Sequence, residues 1–410
     1  MKSLDSLSLR LRQALPFGGK SRAAGLVAGS ISETIHRALS SAGLYDKTGP
    51  QSGVTSTIEQ ALSAAGLNQR ASGSTIVSPT RDERPHNTAT LRVIEGSRVD
   101  PIASQDSARG GEFLTRSYTN GAGTRTYKLY IPASYLSGNA DAVPMVVMLH
   151  GCKQSPDDFA AGTQMNVLAE QHGFLVVYPA QAANANGSKC WNWFRAEDQG
   201  RDDGEPSLIA GITREVASLY RIDRRRIFVA GLSAGAAMAV ILGATYPELY
   251  AAVGAHSGLP YAAAHDVPSA FSAMKGGAAP AGLSGPSAKR RSPRPSIGRT
   301  VPTIVFHGDS DGTVAASNGD EIVKAMVVAI GEPGLRLSTQ EGATSSGRTY
   351  SRTIYADADE APVVEHWVLH GSGHAWSGGS SSGSFTDPRG PDASSEMIRF
   401  FYAQKRAGTA

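Results

Sequence analysis

Ile227-Phe228-Val229-Ala230-Gly231-Leu232-Ser233-Ala234-Gly235-Ala236-Ala237-Met238 is the stretch on which the fold turns. Four apolar residues, two of them β-branched, run straight into Gly-Leu-Ser-Ala-Gly, and small helix-forming residues follow. This reads as a buried strand, a turn with little room for side chains, and a helix that opens at once. A serine at such a turn is pushed into the open, because glycine on either side lets the backbone take angles that other residues resist. The helix N-terminus behind it favours developing negative charge. The plainer alternative is a Gly-rich structural turn, and the five-residue pattern alone does not separate the two. Its position between strand and helix favours the nucleophile.

Working outward, short apolar runs at 127–131, 145–149, 174–178, 251–255, 303–306 and 365–369 read as further strands. Helical patterns at 158–171, 207–220, 234–246, 317–330 and 394–404 fall between them. Such alternation predicts an α/β fold, a doubly wound and mostly parallel sheet covered on both faces.

A serine is inert at its own pKa, so a base and an orienting acid must follow it, in the chain order serine, acid, histidine. The strand at 303–306 runs into His307-Gly308-Asp309-Ser310-Asp311, which places two carboxylates beyond a strand's C-terminal end, where ligand sites of open sheets gather. The strand at 365–369 runs into His370-Gly371-Ser372-Gly373-His374-Ala375-Trp376. Either aspartate and either histidine of these loops satisfies the pattern. His150, His256, His307 and His370 also read as polar residues at strand ends with no chemical task. The backbone N–H groups of Ala234, after the serine, and of Cys152, in the loop after 145–149, are the candidate oxyanion donors. No metal or cofactor is called for.

The rest of the chain sets limits. With 410 residues, one catalytic domain plus an appendage is expected. A formal charge of +3, with positive charge not gathered on one face, gives no reason to expect a nucleic-acid partner. No run of 18 apolar residues appears, so no spanning helix is expected. Residues 1–71 are rich in Ser, Ala, Gly and Thr and read as an extension with short amphipathic helices. Leu4, Leu7, Leu11 and Leu15 share one helical stripe, and Thr34-Ile35 with Ala38-Leu39 recurs as Thr57-Ile58 with Ala61-Leu62. The bland reading is helices that dock within the protein; the sharper one is contact with a granule surface or protein partner. Residues 72–111 read as a linker, 112–405 as the catalytic domain, and 276–299 as a flexible basic insertion. Lys2, Arg10 and Arg12 are not followed by the apolar core and cleavage site of a secretory signal. Two cysteines do not by themselves fix the redox compartment.

Several blocks together resemble the polyhydroxybutyrate depolymerase family of esterases, of the α/β-hydrolase fold, related to feruloyl and acetylxylan esterases. They are His150-Gly151-Cys152-Lys153-Gln154, Tyr178-Pro179-Ala180-Gln181, Cys190-Trp191-Asn192-Trp193-Phe194, the serine turn, His307 to Asp311 with Val314 and Asn318, and Gly373-His374-Ala375-Trp376-Ser377-Gly378-Gly379. The resemblance implies Ser233 as nucleophile, Asp311 as acid and His374 as base. It implies hydrolysis of poly- or oligo-(3-hydroxybutyrate) or related short-chain esters, with feruloyl or acetylxylan esters as the alternative and a non-catalytic granule- or partner-binding adaptor as the reading of another class. It also implies that Cys152 and Cys190 pair in secreted members, which brings the Trp191 and Trp193 segment beside the oxyanion loop. Members of the family are typically secreted, so localisation stays open between extracellular and cytoplasmic. Trp376, two residues from the base, is expected to wall the substrate pocket, with Trp191 and Trp193 as further substrate contacts, core packing being the alternative for each of the three.

Overall fold

A computed structural model describes residues 110–138, 141–276 and 300–404. The amphipathic segments of 1–71, most of the 72–111 linker, and the basic insertion beyond Gly276 lie outside the described residues.

Among the described residues ten strands form one sheet in the order β1-β2-β4-β3-β5-β6-β7-β10-β9-β8. Its centre is β4 (Leu175–Pro179), β3 (Val143–Leu149), β5 (Ile222–Leu232), β6 (Ala252–His256), β7 (Thr303–Gly308) and β10 (Pro362–Leu369), all mutually parallel. Antiparallel hairpins close both edges, β1 (Glu112–Asn120) with β2 (Gly123–Ile131) and β8 (Arg336–Ala343) with β9 (Thr349–Ala356). A central parallel strand is buried on both faces, and its side chains alternate between two cores. Val147, Val229 and Val305 point to one core, with Ile209 and Ile212 of α4 (Gly204–Leu219) and Met238 and Ile241 of α5 (Ala234–Thr245). Val146, Phe228 and Ile304 point to the other, with Phe159, Met165 and Phe401. The other α-helices among the described residues are α1 (Ala133–Leu136), α2 (Pro156–Thr163), α3 (Met165–His172), α6 (Val267–Met274), α7 (Ser317–Ile330) and α8 (Ala393–Ala403).

Several features depart from the sequence reading, including the edge strand β1, which was not anticipated. The helix expected at 158–171 is two helices, because Gln164 adopts a left-handed conformation (φ 56°) and ends α2 just before α3 begins. The hairpin of β8 and β9 was not anticipated: all but one residue of β8 is exposed, so the strand carries no apolar alternation to read. Helix α6 was likewise missed, although Asp266 caps it by accepting the Ser269 N–H at 2.8 Å. No described helix is long and apolar enough to cross a membrane.

Candidate active site

Ser233 stands at the end of β5 with φ 58° and ψ −121°, a left-handed backbone that a residue with a Cβ adopts only when its surroundings enforce it. Two constraints are visible. The Ser233 N–H donates to His256 O at 2.9 Å. Gly235 lies so close to the end of β3 that a Cβ there would collide with Leu149 O and His150 O, so only glycine lets α5 start where it does. Ser233 is largely buried, 9% exposed, and sits at the head of this helix.

Asp311 and His374 come from the loops after β7 and β10, adjacent parallel strands. The carboxylate Oδ2 is 2.7 Å from His374 Nδ1, and Oδ1 accepts the N–H groups of Thr313 (2.8 Å) and Val314 (2.9 Å). His307 adds a further tie, its Nε2 lying 2.9 Å from Val314 O and 3.5 Å from Asp311 Oδ2. Burial on its own would raise the Asp311 carboxyl. The imidazoles of His307 and His374 and the Val314 amide outweigh it and hold the group well below the usual carboxylate range. Among the described residues no group bonds His374 Nε2, and no hydrogen bond joins it to Ser233.

His256, at the end of β6, braces the serine turn against the histidine loop. Its carbonyl takes the Ser233 N–H, and its ring Nε2 accepts the Ser377 N–H at 3.0 Å, three residues beyond His374. The ring is stacked against Phe306 and Trp376 and is wholly buried, which pushes its pKa down to about 3 and keeps it neutral. A neutral ring accepting at Nε2 carries its proton on Nδ1, which stands 3.2 Å from Ser257 Oγ. Nothing in the sequence distinguishes this brace from any other strand-end histidine.

The loop after β3 is equally constrained. The Gly151 N–H is taken by Gln154 Oε1 (2.9 Å), the Lys153 N–H by Ser188 O (2.7 Å) and the Gln154 N–H by Gly151 O (3.3 Å). The Cys152 N–H has no such acceptor among the described residues, and neither has that of Ala234. Cys152 is disulfide-bonded to Cys190. Behind the disulfide, buried Glu205 accepts the Asn192 N–H (2.7 Å) and side-chain amide (2.9 Å), the Gln181 amide, and Arg125 Nη2 at 3.2 Å. This network holds the Trp191 to Phe194 segment, and sequence reading missed Glu205 and Arg125 because each is one charged residue within an ordinary element.

A cleft of about 60 Å³ opens beside Ser233 and Ala234, with the Cys152–Cys190 disulfide, Trp193 and Phe194 on one side and α6 on the other. Trp193 therefore lines the cleft beside Ser233. Trp376 does not: it is 1% exposed, packs edge-on to Phe159, and donates its Nε1–H to Ser394 Oγ at 3.0 Å. The strand β11 (Trp376–Ser377) pairs with β12 (Thr386–Asp387) and turns the ring into the core. Trp191 is also fully buried, its Nε1–H donating to His150 O at 3.1 Å, so it supports the loop after β3 from behind and does not line this cleft. Both corrections have one cause, that nearness along the chain to a chemical residue does not fix which way a side chain faces.

The central parallel strands, the serine turn at the end of β5 and the acid and histidine loops after β7 and β10 define an α/β-hydrolase. In solved structures the same architecture appears in an acetyl xylan esterase from Aspergillus awamori, with a TM-score of 0.53 at 20% identity, covering 72% of this chain and all of that one. The chain belongs to the esterase PHB depolymerase family, whose model matches residues 125–346, more than half of its length. It is 34% identical over 248 residues to poly(3-hydroxyalkanoate) depolymerase C of Paucimonas lemoignei, across 58% of this chain and 56% of that protein. A probable acetylxylan esterase A of Aspergillus fumigatus is 29% identical over 171 residues, across 42% of this chain and 44% of its own. The chain thus spans about half the length of the relatives it matches.

Proposed function

We propose that this protein is a carboxylic ester hydrolase working through an acyl-enzyme. Ser233 Oγ attacks the ester carbonyl carbon while His374 Nε2 takes its proton. The carbonyl oxygen becomes an oxyanion held by the N–H groups of Cys152 and Ala234, then the tetrahedral species expels the alcohol, which receives the proton from His374. Water repeats the sequence and releases the acid. Asp311 fixes the histidine with its proton on Nδ1 and stabilises the imidazolium without taking the proton.

The observation that carries this reading is the buried 2.7 Å Asp311–His374 pair on the loops beside a strained, glycine-flanked serine. The spare amides of Cys152 and Ala234 support the oxyanion assignment, since each such donor is worth about 10² to 10³ in rate. Family membership supports poly- or oligo-(3-hydroxybutyrate) and related short-chain esters as substrates. Similarity to acetylxylan esterases supports acetyl esters of a carbohydrate as the second reading. Residues 1–71 are proposed as the segment that contacts a granule or protein partner; unchanged localisation after their removal would reject that role.

The test is hydrolysis of p-nitrophenyl butyrate and of hydroxybutyrate oligomers by the wild type and by Ser233→Ala. A fall in kcat of roughly 10⁴ to 10⁶ is expected for loss of a triad nucleophile. Retained activity in the variant would overturn the mechanism.

A further inference from the structure

The cleft beside Ser233 has two unlike walls. One is the nucleophile turn and the disulfide; the other is α6, which contributes Val267, Ala270, Phe271 and Met274. This helix is fastened at both ends. Asp266 caps its start, and at its end Ala273 O accepts from Asn318 Nδ2 (2.9 Å) and Met274 O from the Ala315 N–H (2.7 Å). Lys275 Nζ also donates to Gly312 O at 2.8 Å, so the end of the helix is tied to the loop that carries Asp311. A wall fixed in this way does not retreat freely before a larger ligand.

Size and polarity then set what fits. A water-sized group needs about 10–15 Å³ of such space, so the cleft of about 60 Å³ has room for only a handful of heavy atoms beyond the reacting carbonyl. Apart from the Ser233 hydroxyl and the Trp193 indole N–H, every side chain lining it is apolar.

We propose that α6 is the gauge of acyl length: with Ala270, Phe271 and Met274 as its end-stop, the site takes an unbranched acyl group of up to about four carbons and leaves the bulk of the substrate on the alcohol side. The inference rests on Ser233 being the nucleophile. A feruloyl group overfills the cleft. A terminal 3-hydroxybutyryl unit fits, whereas an internal one, whose C3 oxygen carries the rest of a chain, does not.

The experiment measures kcat/KM on p-nitrophenyl acetate, butyrate and octanoate for the wild type, Met274→Ala and Ala270→Leu, with Ser233→Ala as the blank and a thermal melt on each variant. The wild type is expected to lose about tenfold or more between butyrate and octanoate, in keeping with what a few methylenes are worth in an apolar pocket. Met274→Ala should raise the octanoate-to-butyrate ratio about tenfold, and Ala270→Leu should lower the butyrate-to-acetate ratio by a similar factor. The two variants push in opposite directions, so one that fails to fold leaves the other as the test. A flat wild-type profile, or ratios unmoved in the folded variants while hydrolysis still depends on Ser233, overturns the gauge and leaves the esterase reading standing. Hydrolysis that does not depend on Ser233 overturns that reading first, and the gauge with it.

Discussion

Two aspartate–histidine pairs bridge the same two loops, four residues apart at the histidine and two at the aspartate. Asp311 Oδ2 meets His374 Nδ1 at 2.7 Å, and Asp309 Oδ2 meets His370 Nδ1 at 3.0 Å. The second pair even has a serine, since Ser351 Oγ is 2.8 Å from His370 Nε2. By residue type and contact distance Ser351, His370 and Asp309 look as good as the proposed site, although their chain order is acid, serine, histidine. Their surroundings differ. The Asp311 side chain is 0% exposed and that of Asp309 40%. Ser351 lies within β9, between β8 and β10, so its turn offers no spare amides, and its hydroxyl donates to Glu341 Oε2 at 2.7 Å, a charge that would repel an oxyanion. With the Ser351 proton given to Glu341, His370 Nε2 meets that hydroxyl as a donor and not as its base, whereas His374 Nε2 is not bonded by any described group. A working triad is thus defined by burial, a strained serine and unspent donors more than by its three residue types.

The sharpest way to break this comparison is to neutralise each aspartate in turn. Asp311→Asn should lower kcat by about 10⁴, because the amide favours the wrong imidazole tautomer; a loss under tenfold would put Asp309 and His370 back in contention. His256→Phe comes next. It keeps the ring between Phe306 and Trp376 but deletes the acceptor of the Ser377 N–H, and kcat should fall about 10²-fold through displacement of the histidine loop. An unaltered kcat would show that the brace does not align the base.

Asp309→Asn should change kcat by less than tenfold, and its exposed pair should contribute no more than about 1 kcal/mol to stability. Burial opposes ionisation of Asp309, but the His370 imidazole and the Gly371 N–H hold its carboxyl below the ordinary range. A depressed acid stabilises the fold above its unfolded pKa of about 3.9 and loses that contribution as pH falls through the folded value. The melting difference between wild type and Asp309→Asn should therefore shrink on acidification below about pH 4, and also in high salt. The smallest effect is expected from Ser351→Ala, which should leave hydrolysis within about twofold; if it abolished turnover, the roles of the two constellations would be reversed.

The sheet's parallel centre was legible because each of its strands is a compact apolar run between helical patterns. The serine turn was legible because glycine must recur where α5 starts against the end of β3. The hairpin of β8 and β9 was not, since Arg336, Ser338, Thr339, Gln340 and Glu341 pair through their backbones and bury little. Choosing between the two aspartates and two histidines needed the family resemblance, because burial is a property of the whole molecule. Trp376 was misplaced for the same reason. The Glu205 network escaped altogether, its partners Arg125, Gln181 and Asn192 being scattered along the chain and brought together only by folding.

In the register of β3 against β5, Leu149 lies opposite Gly231, so the loop carrying Cys152 and the turn carrying Ser233 leave neighbouring strands at the same level. The distance between the two proposed oxyanion donors is consequently set by the spacing of hydrogen-bonded strands, which no surface loop can alter. Side chains on α6 can be exchanged to suit a new ester while the donor spacing stays where the sheet put it, whereas a change in the helix's length would pull on the loop that carries Asp311. For an engineer, substrate preference and catalytic power are in this scaffold two separate dials.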